Sequence, residues 1–300
     1  MPRKSRAALL SVASNSTLVL LKLVIGILSG SVSILSEAIH SANDLLAAII
    51  ALISVRISDR PPDREHPFGH GKAESISGAV EAALIIVAAI WIVVEAIRKV
   101  IYGGEVAYLG LGAGVMVFSV VVNSFVAKYL FKVAREEDSL ALEADAQHLS
   151  TDVYTSLGVA VGLMLVWITG WHIIDPIVAM GVAGLIGWIG VKLTISASKH
   201  LMDHGLPPAE ITRIETILNA EPRVQSWHDL RTRKSGSQRH IDLHIVVRHN
   251  ATLIEAHKIA DDLEQSIMAQ FLQAIVVIHT DPFDDSHPVS SGSQPRNETH

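Results

Sequence analysis

Long apolar runs separated by short polar stretches fill the first two thirds of the chain. A helix needs about 20 apolar residues to cross the hydrocarbon core of a bilayer. The runs that are long enough predict six transmembrane helices, at 8–30, 33–55, 78–101, 108–132, 141–168 and 174–197. The fifth run is amphipathic in its first turns, so we expect that helix to pack inside the bundle. The pattern therefore predicts an all-α membrane domain over residues 1–206.

The pattern changes at about residue 207 to that of a soluble domain. A stretch with helical period follows two prolines, and two alternating stretches flank Ser235-Gly236, as paired strands would. An amphipathic helix and a short apolar strand complete the order αββαβ. We therefore expect an α+β domain over 207–284, with helices packed on a sheet. The polar tail at 285–300 has the composition of a disordered segment.

Composition narrows the class of protein. Hydrophobic residues make up 49% of the chain and charged residues 18%, and the mean hydropathy is +0.38. These values exclude an ordinary soluble enzyme, and the net charge of -6 argues against a nucleic-acid partner. Because the chain has no cysteine, disulfides are excluded and any metal must be held by nitrogen and oxygen ligands.

Lysine and arginine in short loops predict how the chain is oriented. They cluster at the N-terminus and after the second, fourth and sixth helices, so both termini are expected in the cytoplasm. The first apolar run is too long for a signal peptide and lacks a cleavage-like end. Without a transit peptide, and with a compact C-terminal domain, the expected location is a bacterial inner membrane.

One short pattern, His-x-x-x-Asp, occurs in two of the predicted spans, as His40 with Asp44 and as His148 with Asp152. Ionisable groups at membrane depth are costly, so they mark a transport pathway by default. A spacing of four puts both side chains on one helix face. Counted from opposite membrane faces, both pairs lie roughly 12–18 Å deep, near the midplane. Together they would supply two imidazoles and two carboxylates to a divalent metal.

The alternative is that each pair is a private hydrogen bond that joins helices, which would require matched depths by coincidence. Glu37 and Asp145 each precede one of these histidines by three residues. One interpretation is that these two residues bind the ion transiently as it enters. The other is that they contact the ligand residues or the lipid headgroups.

Two further histidine clusters lie outside the predicted spans. Asp63, His66 and His70 fall within eight residues of the loop between the second and third helices. They suit either a weak metal site or a polar loop whose histidines only form hydrogen bonds. In the soluble domain, the strands and the helix carry a larger set, which is either a metal cluster or scattered histidines: His228, His244, His257, His279 and Asp281.

Five sequence segments resemble those of the cation diffusion facilitators, a family of divalent-metal/proton antiporters. They are SEAIHSANDLLAA, DREHPFGHGKAE, ALEADAQHLSTDVYTSLGV, and WHDLRTRKSG with VIHTDP. The resemblance runs from about residue 7 to 284. It implies six helices, a cytoplasmic metallochaperone-like αββαβ domain and a homodimer.

The resemblance also implies roles for the clusters. The transport site maps onto His40, Asp44, His148 and Asp152, and a loop site onto Asp63, His66 and His70. A zinc cluster at the dimer interface maps onto His228, His244, His257, His279 and Asp281. Lys72 and Asp203 match a charge pair between the two protomers. Some relatives have aspartate at the position of His40, which bears on the choice of metal.

The ligand set favours zinc as substrate and regulatory ligand. Two imidazoles and two carboxylates suit tetrahedral Zn²⁺ and disfavour Mg²⁺ and Ca²⁺, although Fe²⁺, Cd²⁺ and Mn²⁺ stay open. Metal binding needs deprotonated ligands, so loading expels protons. We therefore expect metal export coupled to proton entry by alternating access. An intramembrane metalloenzyme would need an open metal position and a base, and no such motif occurs, whereas a metal-gated channel or sensor stays open.

Overall fold

The computed structural model describes residues 2–29, 32–102, 111–171, 173–271 and 273–283. Within the chain, two compact units are distinguished, Met1–Ser198 and Lys199–His300. The predicted tail at 285–300 lies outside the described residues. The predicted combination of a helical bundle with a small sheet-and-helix domain is confirmed.

The first unit is built from long helices. Their bounds are α1 Arg3–Ser29, α2 Val32–Ser58, α3 Lys72–Tyr102, α4 Leu111–Glu137, α5 Leu140–Thr169 and α6 Ile174–Leu201. Several extend beyond the apolar runs that predicted them: α3 begins at Lys72 rather than at 78, and α4 continues to Glu137 rather than to 132. The predicted start of the fourth helix at 108 lies outside the described residues.

The extra turns have a physical reason. The first turns of α3 are polar but buried, with Glu74, Ser75 and Ser77 at most 2% exposed. Glu74 and Ser77 hydrogen-bond inside the bundle, which allows the helix to start before its apolar run begins. Apolar runs alone therefore underestimate the lengths of these helices.

Five helices, α1, α2, α3, α4 and α6, contain described segments long and apolar enough to cross a membrane. In helix α5, polar residues occupy the first half, among them Asp145, His148 and Asp152, and an apolar run follows them. Helix α5 lies inside the bundle, in contact with α1, α2, α3 and α4. This agrees with the expectation that the fifth helix is shielded by the others.

Small residues let the helices approach closely. Gly190 on α6 faces α3, and a Cβ there would lie 2.7 Å from Ile86 Cγ1. Gly158 on α5 leaves no room for a Cβ beside Val182 of α6. Glycine and alanine at helix contacts are typical of membrane bundles, where close packing replaces the hydrophobic effect as the driving force.

The second unit has the predicted order αββαβ, with α7 Pro208–Ala220, β1 Val224–Ser235, β2 Gln238–Val247, α8 Leu253–Met268 and β3 Ala274–Pro282. The sheet order is β1-β2-β3. Strand β2 pairs antiparallel with β1 and parallel with β3. The hairpin turn uses Gly236 at φ 60°, a left-handed conformation that glycine adopts at little cost.

Local sequence signals explain the two helices of this unit. Helix α7 begins with Pro208, whose missing N–H is not needed in the first turn. Helix α8 begins with a capping box between Thr252 and Glu255. Both helices contribute to one core with the sheet, which includes Ile214, Ile241 and Leu263 among its buried side chains.

Candidate metal centres

The first candidate centre joins α2 to α5. Asp44, His148 and Asp152 each offer a ligand atom, and these atoms all lie within 4.8 Å of one another. His148 Nε2 is 3.3 Å from Asp44 Oδ1, and the two side chains are only 12% and 7% exposed. His148 and Asp152 share a face of α5 because they are four residues apart. The structure thus brings together three of the four residues predicted for the transport site.

The fourth predicted residue, His40, lies one helical turn before Asp44 on α2. Its side chain is outside the described residues, as is that of Glu37. A spacing of four puts His40 on the same face of α2 as Asp44. Its membership of the centre stays a prediction from the sequence.

Buried polar groups surround this centre, and sequence reasoning missed most of them. Glu81 on α3 is fully buried, accepts a 3.4 Å hydrogen bond from Ser77, and interacts electrostatically with Asp145 and His148. Lys22 of α1 is 6% exposed and donates to Ser41 Oγ at 2.8 Å. The sequence did contain a signal for these residues, because each is a single charge inside an apolar run. Such charges seldom face lipid, so they indicate a buried polar site.

Asp145 lies one turn before His148 on α5 and is 1% exposed. A carboxylate buried in this way does not reach lipid headgroups, which removes one of the readings open from the sequence. Its neighbours are Ser11 of α1 and His148. Asp145 is therefore part of the polar interior beside the candidate centre.

The second candidate centre is the loop between α2 and α3. Asp63, His66 and His70 offer ligand atoms within 4.8 Å of one another. Asp63 Oδ1 lies 3.2 Å from His66 Nδ1, and Asp63 Oδ2 lies 3.3 Å from His70 Nε2. The His66 backbone N–H donates to Asp63 Oδ1 at 2.6 Å and holds the pKa of that carboxyl below its ordinary value. The loop therefore orders its own three candidate ligands.

The third candidate centre lies across the sheet of the second unit. The strand register places His228 opposite His244 and His244 opposite His279, so these histidines form one row. Asp281 Oδ2 lies 3.0 Å from His244 Nδ1 and 3.2 Å from His228 Nε2, and Asp281 Oδ1 lies 3.2 Å from His279 Nε2. The ring centroids of neighbouring histidines are 5.0 and 4.7 Å apart. Four of the five predicted residues are thus brought together.

The fifth predicted residue, His257, lies apart from the other four within a single chain. It lies on α8, its side chain is 75% exposed, and its Nε2 is 3.6 Å from Asp261. Asp229 takes a place that sequence reasoning did not foresee, with an oxygen 3.4 Å from His228 Nδ1. It follows His228 at an irregularity of the strand pairing, and alternation along the sequence does not indicate such a bulge.

The predicted charge pair of Lys72 and Asp203 stays a prediction. Lys72 is the first residue of α3. Asp203 adopts φ 54° and lies 3.7 Å from Arg233 within the second unit.

Comparison with known proteins extends over nearly the whole chain. A family described as the cation efflux transmembrane domain matches residues 8–202, and one described as the cation efflux protein cytoplasmic domain matches residues 206–283. The uncharacterized transporter sll1263 of Synechocystis is 36% identical over 279 residues, 93% of this chain and 90% of that protein. The cation-efflux pump FieF of Salmonella agona is 36% identical over 278 residues, 93% of this chain and 92% of that protein.

Two solved structures of CzrB, described in connection with zinc transport, match part of the chain. They are 35% and 36% identical, cover 27% of this chain, and cover 100% and 92% of their own chains. The TM-score is 0.26 for both, and at that value the likeness carries no structural argument.

Proposed function

Because this chain belongs to the cation efflux family of membrane transporters, we propose that it exports divalent metal cations from the cytoplasm in exchange for protons. It works by alternating access, as a homodimer in a bacterial inner membrane. Residues 1–206 form the membrane domain and 207–284 the cytoplasmic domain, with both termini in the cytoplasm.

The observation that carries the proposal is the convergence of Asp44, His148 and Asp152 inside the helical bundle. With His40 from the next turn of α2, the centre offers two imidazoles and two carboxylates. That set favours tetrahedral Zn²⁺ over larger or strictly octahedral hard cations. We therefore propose zinc as the main substrate.

Proton exchange follows from the chemistry of the ligands. Metal binds to neutral imidazole and ionised carboxylate, so loading releases protons and protonation releases metal. When the site faces the cytoplasm, it binds metal. When it faces outward, protons bind to the ligands and displace the metal. The same four residues thus serve metal and protons in turn.

The antiparallel course of α2 and α5 supports a site that opens to either side. Asp44 follows the start of α2 by about 18 Å, and His148 follows the start of α5 by about 12 Å. The ligands therefore meet near the middle of the span, where alternating-access transporters place their substrates.

The row of His228, His244 and His279 with Asp281 is proposed as a zinc-binding regulatory cluster. It lies in a domain whose family comprises the cytoplasmic, dimer-forming part of cation efflux proteins. Zinc bound there would stabilise the dimer, with His257 completing the set when two copies meet. Lys72 and Asp203 are proposed to pair between protomers.

The loop centre is proposed as a weak metal site. Asp63 and His66 are about half exposed, with side-chain exposures of 52% and 53%. Two exposed ligands and the largely buried His70 leave room for water on the metal and for exchange with the cytoplasm. Asp63, His66 and His70 would therefore bind metal transiently.

Transport by purified full-length protein in liposomes tests the proposal. With a proton gradient imposed, the wild type should move Zn²⁺ against its gradient and release protons in proportion, whereas Asp152→Ala should do neither. Glu95→Gln is the matched control, because this exposed carboxylate is paired only with Arg98 among the described ion pairs. Zinc flux without stoichiometric proton movement would indicate a channel and overturn the proposal.

A further inference from the structure

A buried ionic junction lies at the end of the bundle where α1, α3 and α5 begin and α2 ends. At its centre is Glu74, which is fully buried. Lys4 Nζ donates to Glu74 Oε1 at 3.0 Å, and Ser58 donates to the same oxygen at 2.9 Å. Ser139 donates to Glu74 Oε2 at 2.5 Å. One carboxylate thus joins α1, α2 and the start of α5 to α3.

Through Ser139, Glu74 also contacts the N-terminal end of α5. Ser139 Oγ also accepts a 3.4 Å hydrogen bond from the Leu142 N–H in the first turn of α5, so Glu74 binds the residue that caps that helix. A second contact joins α2 to α3 nearby, since Ser54 donates to the Ala73 carbonyl at 2.7 Å. The contacts are short and largely shielded from water, so they fix how these helix ends are spaced.

The helices held by Glu74 are those that carry the candidate transport ligands. Asp44 lies on α2 roughly 21 Å from Ser58, and His148 lies on α5 roughly 14 Å from Ser139, measured along each helix. A change in the spacing of the helix ends is therefore transmitted to the ligands through rigid segments. The described contacts of Glu74 are with Lys4, Ser58 and Ser139, and they include none of Asp44, His148 and Asp152.

The same junction closes the base of the loop between α2 and α3. Lys4 Nζ lies 3.2 Å from Asp59 Oδ1 and 3.0 Å from Glu74 Oε1. These carboxylates stand on either side of the loop that holds Asp63 and His70. One ammonium group therefore anchors both ends of that loop.

We propose that Glu74, bonded to Lys4, is a positioning residue for transport: it keeps the adjacent ends of α2 and α5 together as a fixed pivot. The inference rests on the proposed function. Separating a buried carboxylate from its donors is costly, so this end stays joined while the ligand-bearing segments tilt. The ligands then keep their relative spacing, which sets the affinity for metal.

The test measures the KM for Zn²⁺ in liposomes containing full-length protein. Glu74→Gln and Lys4→Met should each raise KM by about tenfold, corresponding to about 1.4 kcal/mol of binding. Lys4→Arg, which keeps the charge, should restore a KM close to that of the wild type. KM is the informative quantity, because a loss of folded protein lowers the maximal rate and leaves KM unchanged.

Glu136→Gln is the matched control. Glu136 also pairs with a basic residue of the N-terminal turn, Arg3, at 2.6 Å, but these side chains are 39% and 49% exposed. Exposed ion pairs contribute little, so KM should stay within about twofold of the wild type. If Glu74→Gln fails to fold, the comparison of KM between Lys4→Met and Lys4→Arg tests the same proposal.

The outcomes separate this inference from the proposed function. A wild type that moves no metal overturns the proposed function. A wild type that transports, with an unchanged KM in Lys4→Met or Glu74→Gln, overturns the pivot alone. Equal increases of KM in Lys4→Met and Lys4→Arg also overturn it, because the ionic contact would then not be what matters.

Discussion

The Nε2 atom of His148 lies 3.3 Å from Oδ1 of Asp44, and these residues are 104 positions apart in the sequence. The contact joins the polar first half of α5 to α2. Since both side chains are largely buried, neither is a surface ion pair. The bundle is therefore organised around a polar interior that the apolar outer helices shield.

The residue at position 40 should control which metal is transported. His40→Asp replaces one imidazole with a carboxylate and so makes the ligand set harder. We expect the ratio of Mn²⁺ to Zn²⁺ transport in liposomes to rise by about tenfold, which is about 1.4 kcal/mol of discrimination. Thr17→Ala, which removes an exposed hydroxyl of α1 that bonds only within its own helix among the described contacts, should leave the ratio unchanged. An unaltered ratio in His40→Asp would remove His40 from the site.

Asp281 should be required for the cluster in the cytoplasmic domain. Its carboxylate contacts His228, His244 and His279, so Asp281→Asn removes the charge shared by the row. We expect equilibrium dialysis of the full chain to show fewer bound Zn²⁺ ions, while Asp262→Asn, on the outside of α8, should not reduce the number. Equal zinc stoichiometry in both variants would contradict a metal site here.

Much of the fold could be predicted, because its signals are local. Apolar runs predicted the helices, and alternation around Gly236 predicted the β1–β2 hairpin. The pairing of His148 with Asp152 required only helical periodicity. These features depend on neighbours within a few residues, which a sequence displays directly.

The rest depends on contacts between distant segments. The row of His228, His244 and His279 requires the register of three strands, and the parallel pairing of β2 with β3 is not encoded in either strand alone. Glu74 precedes the third apolar run in the sequence and was not singled out there, yet it is fully buried. Its partners lie on other helices, so only the packed bundle reveals its role.

The capping box of α8 should stabilise that helix measurably. Thr252 Oγ1 accepts from the Glu255 N–H at 3.3 Å, and Glu255 Oε2 accepts from the Thr252 N–H at 2.9 Å. Thr252→Ala should cost about 1 kcal/mol and speed hydrogen exchange at the start of α8 in the full chain. Thr216→Ala, which removes an exposed hydroxyl from α7, serves as the control, and equal exchange at α8 in both variants would contradict the prediction.

The same cap predicts a pH dependence. Hydrogen bonds from the backbone N–H and side chain of Thr252 lower the pKa of Glu255. A carboxyl whose pKa is lower in the folded state stabilises it above the unfolded pKa, and that contribution is lost as pH falls through the folded value. Protection of α8 should therefore decrease below about pH 4, and Glu255→Gln should flatten that decrease. A decrease of the same size in Glu255→Gln would assign it to other groups.

Close packing of α6 against α3 should make Gly190 intolerant of a side chain. A Cβ at this position would lie 2.7 Å from Ile86 Cγ1 and 3.2 Å from Ile85 Cγ2. Overpacking of this kind costs about 1–3 kcal/mol, so Gly190→Ala should lower the unfolding temperature of the detergent-solubilised protein. Gly184 lies on the same helix, and a Cβ there meets nothing within 4 Å. Gly184→Ala should therefore leave the unfolding temperature equal or higher, since alanine favours the helix. Equal losses in the two variants would show that the close approach at Gly190 does not limit stability.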